Sequence, residues 1–471
     1  MPGQDVTAEP QLESSGWLIA RIAVLVVGAA LCAAPLAGHS DEVDPHTYTV
    51  LARHLVGSAT WVDPTYLPSV FARFREHLPF ALWPWALAIQ LFGERALVPL
   101  ALLFSLGLLA LLLGAGTPVF GRTAALIAAL LLACTESFFR YAAQTRLDIL
   151  LLLLTTAATL PLFRPVALRR SHWAWAATLT ALAVLVKGPF GLLPLAAATC
   201  ARAVVLRSAR ELLPGSICLA LAALPAVAFL ALDAWLGDGS WWTGYGRNQL
   251  FASAIGMRAD GEQGLVPIKC IAGRFWPGLP LAAAGIVAGL RDLARQRPTP
   301  AAVVAVHCLV GLALLCLPSR QIWHHALILF PPLALLAGSA AAPVLDRLIA
   351  SAKRRRAALM ALVAAAALTS GAAMLGAGAW LTPRVCVLPT KLTTIVPWGA
   401  EVLLVAPSVD WRVIAALAAE YGLDGWPVTS FGGERDGASW ALVRAGTASV
   451  PHAGWSERAR ENAWELWSRD P

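Results

Sequence analysis

Apolar runs of about the length that crosses a bilayer recur along this chain, at 17–37, 96–115, 122–138, 147–163, 173–187, 189–206, 213–234, 275–290, 299–317, 324–342 and 357–381. A helix rises about 1.5 Å per residue, so about 20 apolar residues span the hydrocarbon. Backbone N–H and C=O groups find no water there, and a helix satisfies them within itself. The pattern predicts a polytopic α-helical membrane protein with about eleven spans. Composition agrees: 58% of the 471 residues are hydrophobic and 14% charged, against roughly a quarter charged in soluble domains.

The net charge of +8 does not indicate a nucleic-acid partner, because the basic residues fall in short clusters between apolar runs and form no continuous basic segment. They act as topology signals. With residues 1–16 as a cytoplasmic tail, Arg122, Arg164 with Arg169 and Arg170, Arg207 with Arg210, Arg291 with Arg295 and Arg297, and Arg347 with Lys353 to Arg356 all fall on one side. The tail is acidic and carries no basic stretch of the kind that opens a secretory signal, so the first run is expected to be an uncleaved span. The eight cysteines form no CxxC pattern and are expected to behave as small buried apolar residues.

This parity sends the loop 38–95, the turn before Asp148, the turn at Lys187, segment 235–274, the turn from Pro318 to His325 and the C-terminal segment to the outer face. The membrane-spanning body is expected over 17–382. Within the first outer loop, Tyr48, Leu51, Ala52 and Leu55 recur at helical spacing, as do Phe80, Trp83, Leu87 and Leu91. Both stripes predict helices lying in the membrane interface. From 383 to 471 the chain turns more polar and predicts a small soluble α/β domain. Its expected elements are a strand from Glu401 to Pro407, a helix from Trp411 to Tyr421, a strand from Trp440 to Arg444 and a polar final helix from Ser456 to Ser468.

Charged groups at the outer ends of apolar runs are the candidates for chemistry, since a carboxylate or cation there is costly to place. Asp41, Glu42 and Asp44 follow the first run directly. They either mark the end of the span or carry catalysis. Arg146-Leu147-Asp148 opens another run, either as a local ion pair or as a functional pair. Lys187, before a helix-breaking Gly188-Pro189, is an interface anchor or a phosphate ligand. Arg320, His324 and His325 sit in the last short outer turn, and one imidazole joining Glu76 or His77 would suit a metal or phosphate site. No cofactor is firmly indicated, and a divalent metal stays open. GxxxxGK[ST], strand-borne GxGxxG and GxSxG patterns are all missing from the sequence, so no soluble nucleotide site is visible.

Taken together, Asp44-x-x-x-Tyr48 followed by Ala52-Arg53, Glu76-His77-Leu78-Pro79 running to Trp83, Leu91-Phe92-Gly93, Arg146-Leu147-Asp148 and Lys187-Gly188-Pro189 resemble the GT-C class of polyprenyl-phosphate-dependent glycosyltransferases. Glycosyltransferase family 39 is the most similar branch, with its lipid A aminoarabinose transferases and protein O-mannosyltransferases. The resemblance runs over about residues 20–340. It implies an enzyme of the bacterial inner membrane that moves a sugar from a polyprenyl-phosphate donor to a glycolipid, glycan or protein on the periplasmic side. It further implies a first-loop aspartate as base, Asp44 or Asp41, with Asp148 as a second acid. Arg146, Lys187 and Arg320 would neutralise the leaving phosphate, with Glu76, His77 and His324 beside it. The competing class, a multi-pass transporter or lipid flippase, calls for acids near mid-span and repeated halves. Neither is seen.

Overall fold

A computed structural model describes residues 10–33, 43–58, 60–66, 73–252, 265–276, 278–318 and 321–348, scattered positions between 351 and 368, and 396, 400–405, 424–428, 440–444, 455–461 and 464–469. The chain divides into two compact units. One comprises Met1–Pro35, Arg75–Ala81 and Pro99–Gly376, the other Leu36–Phe74, Leu82–Val98 and Ala377–Pro471.

The first unit is helical. Each expected run from 17–37 to 324–342 overlaps described helix, although the run at 122–138 is divided between Arg122–Ala133 and Glu136–Tyr141. Glu94–Phe120, Arg170–Gly191, Ala209–Leu236 and Trp323–Leu348 are each long and apolar enough to cross a membrane. Val266–Arg274 and Leu279–Ala294 pass the same test only when taken together, as a pair bent at the break between them. Trp17–Cys32, Arg122–Ala133, Leu147–Phe163, Leu193–Val205 and Pro300–Cys316 are shorter apolar helices. Most of the run expected at 357–381 lies outside the described residues.

Side-chain size decides which face turns inward. On Leu212–Leu236, Leu213, Ile217, Leu221, Leu224 and Val227 point outward while Gly215, Cys218, Ala222 and Ala226 are buried. In lipid the large apolar residues gain nothing by turning in, and small ones let backbones approach. Phe330–Leu348 packs on Arg122–Ala133 in the same way. A Cβ at Gly338 would lie 2.2 Å from the Ala124 carbonyl oxygen, so only glycine fits that crossing.

In the second unit, Val43–Gly57 buries Tyr48, Leu51, Ala52 and Leu55, the stripe read from the sequence. Trp83–Phe92 buries Trp85, Ala86 and Ala88 and leaves Trp83, Leu87, Leu91 and Phe92 exposed. Its expected apolar stripe is therefore the outward face, as an interfacial helix requires. Trp83 Nε1 donates to the Trp61 carbonyl oxygen at 2.8 Å, and the Arg53 guanidinium pairs with the Glu94 carboxylate through two nitrogens.

Among the described residues, the C-terminal part of this unit holds a five-stranded sheet of β1 (Glu401–Val405), β2 (Asp424–Val428), β3 (Trp440–Arg444), β4 (Trp455–Glu461) and β5 (Trp464–Arg469), in the order β2-β1-β3-β5-β4. β1 pairs in parallel with β2 and β3, and β5 pairs antiparallel with β3 and β4. The expected strands at 401 and 440 are present. The final helix expected from Ser456 to Ser468 is instead the β4–β5 hairpin. Trp464, Leu466 and Ser468 are buried while Glu465 and Trp467 are half-exposed, a period of two that suits a strand and not a helix. The helix expected at 411–421 lies outside the described residues.

Candidate active site

Two helix ends of opposite polarity meet in the first unit. Arg146 has extended backbone, φ −127° and ψ 142°, and turns the chain into Leu147–Thr159, so that Asp148 stands in the first turn. Lys187 is the last residue of Arg170–Lys187. A carboxylate at a helix N-terminus and a cation at a C-terminus each complement the local backbone dipole. Lys187 Nζ donates to Asp148 Oδ1 at 2.5 Å, and Arg146 Nε lies 3.7 Å from Asp148 Oδ2. All three side chains are buried. Two cations around one carboxylate leave this buried cluster with formal positive charge.

The surroundings lock these groups in place. Gly188 follows Lys187 with φ +59°, and a Cβ there would lie 1.9 Å from the Tyr245 phenol oxygen. Burial pushes the Tyr245 phenol far up, so it stays neutral. The Arg146 guanidinium lies 3.8 Å over the Tyr141 ring, and Tyr141 stands 5.6 Å from Trp323. Arg274 lies 3.7 Å over the Trp323 ring. Planar guanidinium groups stack on aromatic faces in this way, which holds the charge in place.

The turn that carries Trp323 adds two imidazoles. His325 stacks 3.9 Å from Phe190, and its ring centre is 4.9 Å from that of His324. His324 is within electrostatic reach of Asp148, and His325 within reach of Lys187, Asp148 and His77. Arg146, Asp148, Lys187, His324 and His77, separate in sequence, therefore gather in one neighbourhood. Glu76 is exposed. Among the described residues no group of three His, Cys, Asp or Glu side chains is placed to hold a metal ion.

Asp44 belongs to the other unit, half-buried in the first turn of Val43–Gly57. Beside it burial pushes the Tyr66 phenol up to about 12, against a hydrogen bond with Thr47 that lowers it, and the Asp44 charge adds to the rise. Asp41 and Arg320 lie outside the described residues. Sequence reasoning missed Tyr141 and Arg274. The available signal for Arg274 was a lone cation closing Val266–Arg274 directly before Phe275-Trp276.

Residues 76–235 match the model of a family described as dolichyl-phosphate-mannose-protein mannosyltransferase. No curated protein matches the chain. Among solved structures, ArnT from Cupriavidus metallidurans bound to undecaprenyl phosphate is similar at 17% identity, covering 97% of this chain and 98% of that one with a TM-score of 0.66. Its apo state matches at 18% identity and a TM-score of 0.64, over the same shares. The oligosaccharyltransferase AglB from Archaeoglobus fulgidus, in complex with an inhibitory peptide and a dolichol-phosphate, matches at 15% identity and a TM-score of 0.53, over 90% of this chain and 69% of that one. The chain thus carries a segment that matches this family's model over residues 76–235 and shares the fold of ArnT along nearly its whole length.

Proposed function

We propose that the chain takes a sugar from a polyprenyl-phosphate donor and transfers it to a glycolipid, glycan or protein acceptor on the outer side of a bacterial inner membrane. The observation that carries this reading is the buried Arg146–Asp148–Lys187 cluster, where two cations share one carboxylate. In the reaction the C1–O bond to phosphate breaks and a C1–O bond to the acceptor forms. The electron pair leaves with the phosphate, which passes from a singly charged diester toward a doubly charged monoester. Cations already in place stabilise that growing charge more than the ground state, and so lower the barrier.

The acceptor hydroxyl must lose its proton. Asp44 or Asp41, in the first outer loop, is assigned this general-base role. Asp148 orients Arg146 and Lys187, holding both cations at the positions the phosphate will use. Arg320, His324, His77 and Glu76 complete the polar surroundings of the leaving group. The C-terminal sheet stands on the periplasmic side with the acceptor, and the N-terminal tail stands in the cytoplasm.

The test is sugar transfer from a radiolabelled polyprenyl-phosphate sugar pool in membranes, comparing the parent with Asp44→Asn, Asp41→Asn and Asp148→Asn at equal expression. Loss of transfer in one first-loop variant, with a weaker defect in Asp148→Asn, supports the assignment. Undiminished transfer in all three removes the mechanism.

A further inference from the structure

The turn that delivers Arg146 also carries a buried acceptor that no described residue uses. Gln144 N–H donates to the Tyr141 carbonyl oxygen at 3.1 Å, and Arg146 N–H donates to the Gln144 carbonyl oxygen at 2.7 Å. These bonds tie Tyr141, Gln144 and Arg146 into one tight segment between Glu136–Tyr141 and Leu147–Thr159. The Gln144 side-chain oxygen Oε1 is buried and has no hydrogen-bond partner among the described residues. Ser137 Oγ, on the preceding Glu136–Tyr141, is buried and likewise has no partner among the described residues. Buried polar atoms in folded proteins are nearly always paired, so an orphan beside a cluster of charged groups marks a place where a ligand supplies the partner.

Oε1 is an acceptor only, so its partner must carry a hydroxyl or amine hydrogen. A lipid phosphate that has lost its sugar brings charge for Arg146 and Lys187 but offers Oε1 no hydroxyl. A sugar attached to that phosphate through one oxygen brings hydroxyls a few bonds away, and Gln144 sits two residues from Arg146. We infer that Gln144 is a sugar-recognition residue: its Oε1 accepts a hydrogen bond from a hydroxyl or amino group of the donor sugar while Arg146 and Lys187 face the phosphate. This rests on the transfer reading above and adds to it the group that tells donor from spent lipid. Rejecting a ligand that lacks the expected hydrogen-bond donor is an effective way to discriminate, because the protein acceptor is then left unpaired.

The experiment compares binding of decaprenyl phosphate with binding of the same lipid carrying mannose, glucose, galactose or arabinose, using the full chain in lipid nanodiscs. The quantity read is the preference ratio, sugar-bearing lipid over bare lipid. Gln144→Met keeps the length and volume of the side chain and removes the acceptor. Its ratio should fall by roughly three- to tenfold for the preferred sugar, with affinity for bare decaprenyl phosphate unchanged. Gln144→Leu, which removes the same acceptor in a different shape, should show the same fall and keeps the test decisive where Gln144→Met does not fold. Gln144→Glu retains an acceptor oxygen, and its ratio should stay near the parental one. A parent that prefers no sugar in the set, or a Gln144→Met protein with the parental ratio, overturns the assignment while leaving transfer itself standing. A parent that binds no polyprenyl phosphate and transfers no sugar overturns both.

Discussion

Lys187 and Asp148, 39 positions apart, meet at 2.5 Å with both side chains buried. Removing Asp148 strands two buried cations, whereas removing Lys187 leaves Asp148 with Arg146 at 3.7 Å. Asp148→Asn should destabilise the protein by about 3 to 5 kcal/mol, and Lys187→Gln by less. The double variant should lose less than the sum, with a coupling of about 0.5 to 3 kcal/mol. Thermal unfolding of the four proteins in one detergent reads this directly, and additive losses would show that the pair is not coupled.

Arg146 holds its place through a planar contact with Tyr141 as well as through charge. Arg146→Lys retains the cation and loses both the stacked plane and the fork of N–H groups. The expected result is a fall in kcat/KM for sugar transfer of roughly tenfold, corresponding to a desolvated cation–π contact of about 1 to 2 kcal/mol. Parental kinetics in that variant would mean that charge alone suffices at this position.

Gly188 is the hinge between Lys187 and the turn that follows. A side chain there meets positive φ and the Tyr245 hydroxyl together. Gly188→Ala should lower stability by about 1 to 3 kcal/mol and displace Lys187 enough to depress transfer. Combining it with Tyr245→Phe, which removes the atom in closest approach, should restore part of the stability. The paired unfolding curves test this, and no rescue would place the whole cost on the backbone angle.

In the second unit, Trp464 is buried on β5 while Glu465 beside it is half-exposed. Trp464→Ala should cost about 3 to 5 kcal/mol, and Glu465→Ala should stay within about 0.5 kcal/mol. Hydrogen exchange along Trp440–Arg444, the strand that pairs with β5, should accelerate in the first variant only. Equal effects at both positions would contradict a strand with one buried face.

The span-forming helices were legible because one local quantity, the length of an apolar run, decides them in lipid. The helix at Val43–Gly57 was legible for a related reason, since Tyr48, Leu51, Ala52 and Leu55 carry the helical period within a few turns, but that stripe is packed inward, not turned to an interface. The segment 455–469 was not. Its charged and aromatic residues satisfy a polar helix as well as a hairpin, and pairing with Trp440–Arg444 is a long-range contact that settles the matter in favour of β5.

For the site, the sequence by itself determined which residues are charged at span ends, and so brought out Arg146, Asp148 and Lys187 as single positions. Chain neighbours suggested Asp148 with Arg146. The tertiary structure places Lys187 at 2.5 Å and Arg146 at 3.7 Å, and it stacks Arg146 on Tyr141 and Arg274 on Trp323. Helix packing chooses such partners, because the approach of two helix ends is set by small residues spread along their whole lengths. No local pattern encodes that approach, which is why the charges could be read from the sequence and their partners could not.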